Sequence, residues 1–190
     1  MQKQAALTQP RMRLFDNTAL FHLILPLIIE QFLTIAVGMV DSVMVSSVGE
    51  AAVSAVSLVD TVNVLIVNLF SALATGGAVV AGQYLGRQDN DSAEKAGNQL
   101  LLFTGAAALV VMALVYLGRN LLLDVVFGHL EADVRAYCYT YLMIVSASIP
   151  FIALYNSGAA LFRVMGNSNV SMIVSIVMNT VNIVGNALLI

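Results

Sequence analysis

The sequence predicts an all-α integral membrane protein built on five transmembrane helices. Hydrophobic residue types make up 59% of the 190 residues and charged types only 10%, whereas soluble domains carry about 25% charged residues. Five stretches are long and apolar enough to cross a bilayer, which takes about 20 residues of helix. These stretches lack the strict alternation that is typical of membrane strands, so helices are favoured throughout.

The same composition excludes several classes of function. A net charge of −3 offers no basic surface for nucleic acid. Cys138 is the only cysteine, and the two histidines, His22 and His129, lie far apart, which excludes a cysteine-based metal cluster and most zinc chemistry. The sequence carries no phosphate-binding loop or hydrolase motif. We therefore expect no catalytic residues, no enzyme activity, no cofactor beyond a coupling ion, and membrane lipids rather than nucleic acid as partners.

The bundle is predicted to span 18–190, after a cytoplasmic N-terminal segment of residues 1–17. In chain order, the predicted helices occupy residues 18–47, 51–85, 96–117, 136–161 and 170–190. Helix 1 follows a basic segment, as the core of a signal peptide does. Its apolar run is too long, however, and no small-residue cleavage site follows it, so we expect this helix to be retained.

Polar breaks separate the predicted helices. The charged loop 86–91 precedes helix 3, which either Asp91 or Ser92 is expected to cap. Before helix 4, the apolar stretch 121–127 is expected to lie at the membrane interface, and the polar residues 166–169 precede helix 5.

The positive charges predict the orientation of the bundle. Two of the eight, Arg119 and Arg135, fall on one side of the predicted membrane. The other six share the opposite side: Lys3, Arg11, Arg13, Arg87, Lys95 and Arg163. Because positive charge concentrates on the cytoplasmic side, we expect a multi-pass protein of the plasma (inner) membrane with its N-terminus in the cytoplasm.

Three acidic residues lie inside the predicted spans: Glu30, Asp41 and Asp60. A charge at the centre of a membrane helix costs about 2.5–3.5 kcal/mol on insertion scales, so these residues are functional candidates. On helix 1, Glu30, Thr34 and Asp41 fall within about 40° of one another on one face. Pro26 lies on almost the same face and lacks an N–H, so it is a candidate hinge.

Helix 5 carries four polar residues on one face, namely Ser175, Asn179, Asn182 and Asn186. Amide oxygens can bind a hard cation or hold a carboxylate in place. Because an amide cannot release a proton, an acid from another helix is needed, and Asp41 lies at the same depth as Asn182 and Asn186. The pattern predicts a cation or proton site at these residues, with Na⁺ as the possible metal ion.

Secondary candidates are Glu30, Asp60 and Thr34. Helix 4 adds Tyr141, whose ring could line a cavity for a large organic cation. The alternative for the helix 4 tyrosines is an ordinary belt at the membrane interface, in which Tyr137 and Tyr139 would also take part.

Structural explanations stay open for several of these features. Glu30 could serve only as a hydrogen-bond partner for a neighbouring helix, and Pro26 could be a fixed packing kink. The amides of helix 5 could simply join helices, although such bonds average only about 0.6 kcal/mol.

Taken together, the helices resemble the N-terminal lobe of the multidrug and toxic compound extrusion (MATE) transporters. The likeness covers the whole chain and rests on Pro26 and Gln31, Val-Asp-Ser-Val-Met-Val at 40–45, Gly-Glu-Ala-Ala-Val-Ser-Ala-Val-Ser-Leu at 49–58, Gly-Gly-Ala at 76–78, Gln-Tyr-Leu-Gly at 83–86, Ala-Leu-Phe-Arg-Val-Met-Gly-Asn at 160–167, and Asn-Ile-Val-Gly-Asn-Ala-Leu-Leu-Ile at 182–190.

The resemblance implies twelve helices in two six-helix lobes around a central cavity. This chain would supply five helices of the first lobe, and the C-terminal lobe of the same polypeptide would be its partner. The chain stops at Ile190 inside an apolar run, so we expect it to be the front part of a longer protein.

The resemblance also implies function. Family members exchange Na⁺ or H⁺ for bulky, often cationic, organic compounds, so multidrug efflux by antiport is the expected activity. Asp41 matches the helix 1 aspartate that couples a cation or proton, and Asn182 and Asn186 match the polar pair of helix 5. Tyr141 matches a helix 4 tyrosine near this site. The position of Asn186 is aspartate in some members, which leaves the coupling ion open.

Two other functions remain open. A lipid-linked oligosaccharide flippase of the same superfamily would favour a more cationic cavity than the acidic stripes of this sequence predict. A non-transporting enzyme component or assembly scaffold is the other alternative. The enzyme would need a catalytic constellation, and the scaffold would not need Glu30 and Asp41 on one face.

Overall fold

The computed structural model describes residues 17–189, and all five predicted helices are present in it. They are α1 (Asn17–Ser46), α2 (Glu50–Gly86), α3 (Asn90–Leu121), α4 (Ala132–Val164) and α5 (Ser168–Leu189), with a π-helical turn at Leu122–Val126 after α3. Each is long and apolar enough to cross a membrane, so the all-α membrane architecture is confirmed. Most of the predicted cytoplasmic segment, residues 1–16, and Ile190 lie outside the described residues.

The helices α2, α3 and α4 extend beyond the predicted bounds at both ends, α1 is shifted by one residue, and α3 differs most. It begins at Asn90 rather than near residue 96, because Asp89 is its N-cap and accepts a hydrogen bond from the backbone N–H of Ser92 at 3.1 Å. The expectation that Asp91 or Ser92 caps this helix was therefore wrong. The hydrogen bond from Ser92 also lowers the pKa of the Asp89 carboxyl from its usual value.

Two packed units make up the bundle. The helices α2, α3 and α4 pack closely on one another, and we call them the α2–α4 body. The helix α1 packs mainly along α5, forming the α1–α5 pair, and the two units touch sparsely. The core lies inside the body, where small side chains such as Ala55, Ala108 and Ala153 are fully buried and let the helix backbones approach closely.

Large apolar side chains cover the outside of the bundle. Leu102, Leu117 and Phe151, for example, are 74%, 84% and 74% exposed. A soluble protein could not present so much contiguous apolar surface, so this distribution is that of a protein whose outer solvent is lipid.

Two neighbouring glycines of α2 differ sharply in their surroundings, and they provide a test of the packing of the body. A side chain at Gly77 would overlap Leu100 of α3, whereas Gly76 faces open space. We expect Gly77→Val to lower the free energy of unfolding in detergent by about 1–3 kcal/mol through overpacking. Gly76→Val is the matched control, since it places the same β-branched residue in the same helix. Equal losses of thermal stability in the two variants would contradict this packing.

Candidate functional site

The first polar cluster lies where α1 and α5 approach their C-terminal ends. The Nδ2 atom of Asn186 donates a hydrogen bond to Oδ1 of Asp41 at 2.8 Å. The two helices run in the same direction side by side, since Glu30 of α1 contacts Ser171 near the start of α5 and Asp41 contacts Asn186 near its end. Parallel packing therefore brings an intramembrane acid against an amide of the last helix.

Asn182 belongs to the same cluster. It lies one turn before Asn186, and its Oδ1 atom is 3.4 Å from Nδ2 of Asn186. Asn179, about one turn before Asn182, instead donates to the hydroxyl of Ser175 at 3.2 Å. The helical face predicted from the sequence is thus present, but its two halves have different partners.

A second acid is paired inside the α2–α4 body. The hydroxyl of Tyr141 donates to Oδ1 of Asp60 at 3.1 Å. Tyr141 therefore hydrogen-bonds to Asp60 of α2 rather than to Asp41, which lies nearby. The structure places three of the predicted residues, Asp41, Asp60 and Tyr141, in one region of the bundle.

Glu30 forms a separate cluster at the other end of α5. The residue is only 8% exposed. Its Oε1 atom accepts hydrogen bonds from Tyr155 at 3.0 Å and from Nη2 of Arg163 at 3.2 Å, and its Oε2 atom accepts one from Ser171 at 3.2 Å. Glu30 is thus ion-paired and bonded to two neighbouring helices, so the structural explanation of this acid has direct support.

The chain path between α4 and α5 explains how the partners of Glu30 come together. At the end of α4, Gly166 has φ of +80°, and the backbone N–H groups of Gly166 and Asn167 bond back to Arg163 and Phe162. This is a Schellman motif, for which glycine is the preferred residue. Because α5 begins at Ser168, two residues after Gly166, Arg163 in the last turn of α4 lies close to Ser171 in the first turns of α5.

Sequence reasoning missed Tyr155, Arg163 and Ser171 as functional neighbours. The predicted end of helix 4 at residue 161 left Arg163 between helices 4 and 5, whereas the residue lies within α4 and its side chain is partly buried against Glu30. A signal was available, because charged residues at membrane depth tend to pair with one another. The lone cation at the end of an apolar helix was the natural partner for a buried acid.

The two remaining candidates on α1 lie near Glu30 rather than Asp41. The hydroxyl of Thr34 bonds to the backbone oxygen of Glu30 at 2.9 Å. Pro26 is buried one turn before Glu30, and α1 continues through it as one helix. The polar face of α1 therefore divides into two clusters, with Glu30 and Asp41 about 16 Å apart along the helix axis.

A cavity of about 530 Å³ lies between the α1–α5 pair and the α2–α4 body. Glu30 and Arg163 line one part of it, and Thr34, Asn156 and Asn179 contribute further polar groups. Nδ2 of Asn156 and Nε of Arg163 are buried there without a hydrogen-bond partner from the protein. Such a cavity is polar and large enough to hold water or a small polar group.

Among residues 17–189, no group of three or more His, Cys, Asp or Glu side chains could hold a metal ion. The oxygen atoms near Asp41 come instead from one carboxylate and two amides, a donor set suited to a weakly held hard cation or to a proton on the acid.

Comparison with known proteins shows where this arrangement belongs. The "Uncharacterized transporter YisQ" of Bacillus subtilis (strain 168) is 31% identical over 190 residues, which is 97% of this chain and 39% of that protein. A MOP superfamily transporter from Pyrococcus furiosus Vc1, described as having a binding pocket of reverse polarity that suggests a different function, matches with a TM-score of 0.81 at 20% identity. A multidrug resistance MATE family transporter in an outward-facing conformation matches with the same TM-score and identity.

These matches cover most of this chain but less than half of each relative. Both solved structures cover 88% of this chain, but the chain covers only 37% of each of them. It therefore spans about two fifths of the length of these relatives. They are transporters, which agrees with the prediction that the chain is not an enzyme.

The family itself is established by a match over most of the sequence. A model of the MatE family matches residues 26–188, a range that includes α2, α3 and α4, most of α1 and α5, and both polar clusters. The predicted family resemblance is confirmed: this chain is a member of the MatE family of membrane transporters.

Proposed function

We propose that the protein to which this chain belongs exports bulky, often cationic, organic compounds in exchange for Na⁺ or H⁺, by alternating access across the plasma (inner) membrane. The observation that carries the proposal is the hydrogen bond of 2.8 Å between Asn186 and Asp41 inside a membrane span. Membership of the MatE family supports transport. The paired acid and amides supply a reason for ion coupling.

The coupling site consists of Asp41, Asn182 and Asn186. A carboxylate in a membrane span is costly, so neutralising it with a cation or a proton releases free energy that a conformational change can use. In the present arrangement Asn186 donates its N–H to Asp41. A Na⁺ ion would take the place of that N–H group, with the carboxylate and the amide oxygens as ligands. A proton would bind the carboxylate itself.

The other candidates take supporting roles in this proposal. Tyr141 and Asp60, bonded to each other at 3.1 Å, would respond electrostatically to a change of charge on Asp41. Asn179 would orient the helical face that carries the site. Pro26 would be the hinge of α1, since the missing N–H of proline weakens the helix at that turn.

The membrane potential can contribute to this cycle. The orientation proposed from the positive charges puts Asp41 in the outer half of the membrane, where a cation can enter from outside. A single charge moving through 100 mV supplies about 2.3 kcal/mol, which corresponds to roughly a fifty-fold concentration ratio of exported compound.

Replacement of the proposed coupling acid provides the first test. In the full-length protein, Asp41→Asn should abolish cation-driven efflux of a fluorescent organic cation such as ethidium, because the asparagine cannot bind a proton and carries no charge for Na⁺. The measurement is efflux from energised cells, with the amount of protein in the membrane checked by immunoblot.

Asp124→Asn is the matched control for this variant. It makes the same chemical change at an exposed acid that pairs with Arg135 at 2.6 Å, far from the cluster in sequence. We expect it to retain efflux. Normal drug resistance in cells that carry Asp41→Asn at wild-type protein levels would end the proposal.

The amide partner of Asp41 provides a second, quantitative test. Asn186 would give its amide oxygen to a bound Na⁺, so Asn186→Ala should raise the half-saturating Na⁺ concentration about tenfold if that ligand is worth about 1.4 kcal/mol. If the coupling ion is H⁺, the loss of a bond that favours the charged carboxylate should instead shift half-saturation to a lower proton concentration. Efflux is measured against Na⁺ at fixed pH and against pH at fixed Na⁺, and the dependence that shifts identifies the ion.

Asn169→Ala removes an exposed amide from the first turn of the same helix and serves as the control. We expect it to leave both dependences unchanged. If Asn186→Ala shifts neither curve, Asn186 is not a ligand of the coupling ion.

A further inference from the structure

The bonds between the two packed units are concentrated at one residue. Among the described side chains, the hydrogen bonds that join the α1–α5 pair to the α2–α4 body run from Tyr155 and Arg163 to Glu30. The other side-chain bonds between helices stay inside one unit. They are Asp41–Asn186 and Glu30–Ser171 within the pair, and Asp60–Tyr141, Thr104–Ser157, Tyr116–Met143 and Cys138–Ala55 within the body.

The bonds between the two units lie near one end of the bundle. Arg163 lies in the last turn of α4 and Glu30 faces the first turns of α5, so the two units are fastened near the N-terminal end of α5. The cavity of about 530 Å³ between the units starts at this point, with Glu30 and Arg163 in its lining, and reaches Asn179 on α5. The side-chain bonds described near the C-terminal end of α5 hold α1 to α5 and do not reach the body.

We propose that the α1–α5 pair rocks as one unit against the α2–α4 body, with the bonds from Glu30 to Arg163 and Tyr155 as the pivot. The cavity between the units then widens and narrows toward the C-terminal end of α5. The inference names the moving unit and does not depend on the identity of the coupling ion, or on Asp41 binding one.

The chemistry of the contacts supports a pivot at Glu30. A partly buried ion pair resists separation, because removal of either partner leaves an uncompensated charge at membrane depth. The two oxygens of Glu30 are held from three directions, which fixes its position. Apolar contacts between the units have no preferred direction, so they can slide. Pro26 lies one turn before Glu30 and lets the first turns of α1 keep their place while the rest of the helix tilts.

The bond between Asp41 and Asn186 explains why α1 and α5 would move together. It ties the two helices near their C-terminal ends, and Ser171 ties Glu30 to α5 near the other end. Two bonds about 16 Å apart along α1 prevent either helix from turning alone.

The expected amplitude follows from the length of α1 beyond the pivot. Ser46 lies 16 residues after Glu30, or about 24 Å along the axis. A tilt of about 15°, similar to rotations seen between other packed units, would move Ser46 by about 6 Å. Sites close to Glu30 would move very little.

Distances between spin labels test the motion directly. Double electron–electron resonance is measured on the full-length protein in lipid nanodiscs, in a background in which Cys138 and every cysteine outside this chain are replaced by serine. Exposed residues are replaced by cysteine and labelled in three pairs. Ser46 with Thr140 measures the distance between the units at the far end, where α1 ends, and Asn169 with Gln83 measures it at the pivot. Ser46 with Thr180 measures a distance within the α1–α5 pair.

We expect a distance distribution at the far end that is broader by about 6 Å than the one at the pivot, and a narrow distribution within the pair. Two results overturn the proposal. Equal widths at the far end and the pivot mean that the units do not rock. A distribution within the pair as broad as that at the far end means that α1 moves without α5.

Variants of the pivot complete the test. Glu30→Gln and Arg163→Gln should broaden the pivot distribution to the width found at the far end. Tyr155→Phe removes one hydroxyl and leaves the ion pair in place, so it should broaden the pivot distribution less and keeps the test usable if the charge variants fail to insert. An unchanged pivot distribution in Tyr155→Phe and in every charge variant that inserts overturns the proposal.

Arg135→Gln is the matched control. It breaks the exposed ion pair with Asp124, which does not join the two units, and should leave all three distributions unchanged. If it broadens the pivot distribution as Arg163→Gln does, the effect is not specific to Glu30 and the proposal fails. These distances need no transport, so a failure of the rocking motion and a failure of Asp41 in ion coupling are separately visible.

Discussion

The placement of charge in hydrocarbon is the constraint on which this helix arrangement depends. An acid well inside a span is stable only where another helix or water supplies partners for its oxygens. Three such acids receive hydrogen bonds from neighbouring helices. Asp41 bonds to α5, Asp60 to α4, and Glu30 to both α4 and α5. These contacts fix the rotation of four helices about their axes, whereas the lipid-facing surfaces carry interchangeable apolar side chains.

Much of the bundle could be predicted from the sequence because its signals are local. Apolar length alone located five helices, with α3 the main error, since a capping residue at Asp89 starts that helix before its apolar part. Counting residues from the helix ends also placed Asp41 at the depth of Asn182 and Asn186, and the structure has Asp41 in direct contact with Asn186. The role of these residues in ion coupling remains a prediction.

The partners of Glu30 could not be predicted in the same way. A helical face shows which side of α1 is polar, but it does not show which helix covers that side. In a membrane both the core and the solvent are apolar, so hydrophobic patterning says little about neighbours. The division into two units depends on shape instead, on small residues such as Ala55 and Ala108 inside the body and on the glycine turn that folds α5 back beside α4. Tyr141 shows the same limit, because the family resemblance placed it near the site of Asp41 but did not show its bond to Asp60.

The distance in sequence between Glu30 and Arg163 affects how the protein is made. The two residues are separated by 133 positions, which a ribosome takes on the order of ten seconds to translate at about 5–20 residues per second. During that interval α1 has been synthesised while its counter-charge has not, so the carboxyl group of Glu30 needs water or other partners in the meantime. The helix α1 therefore reaches its final place only after α5, on which it mainly packs, has also been synthesised.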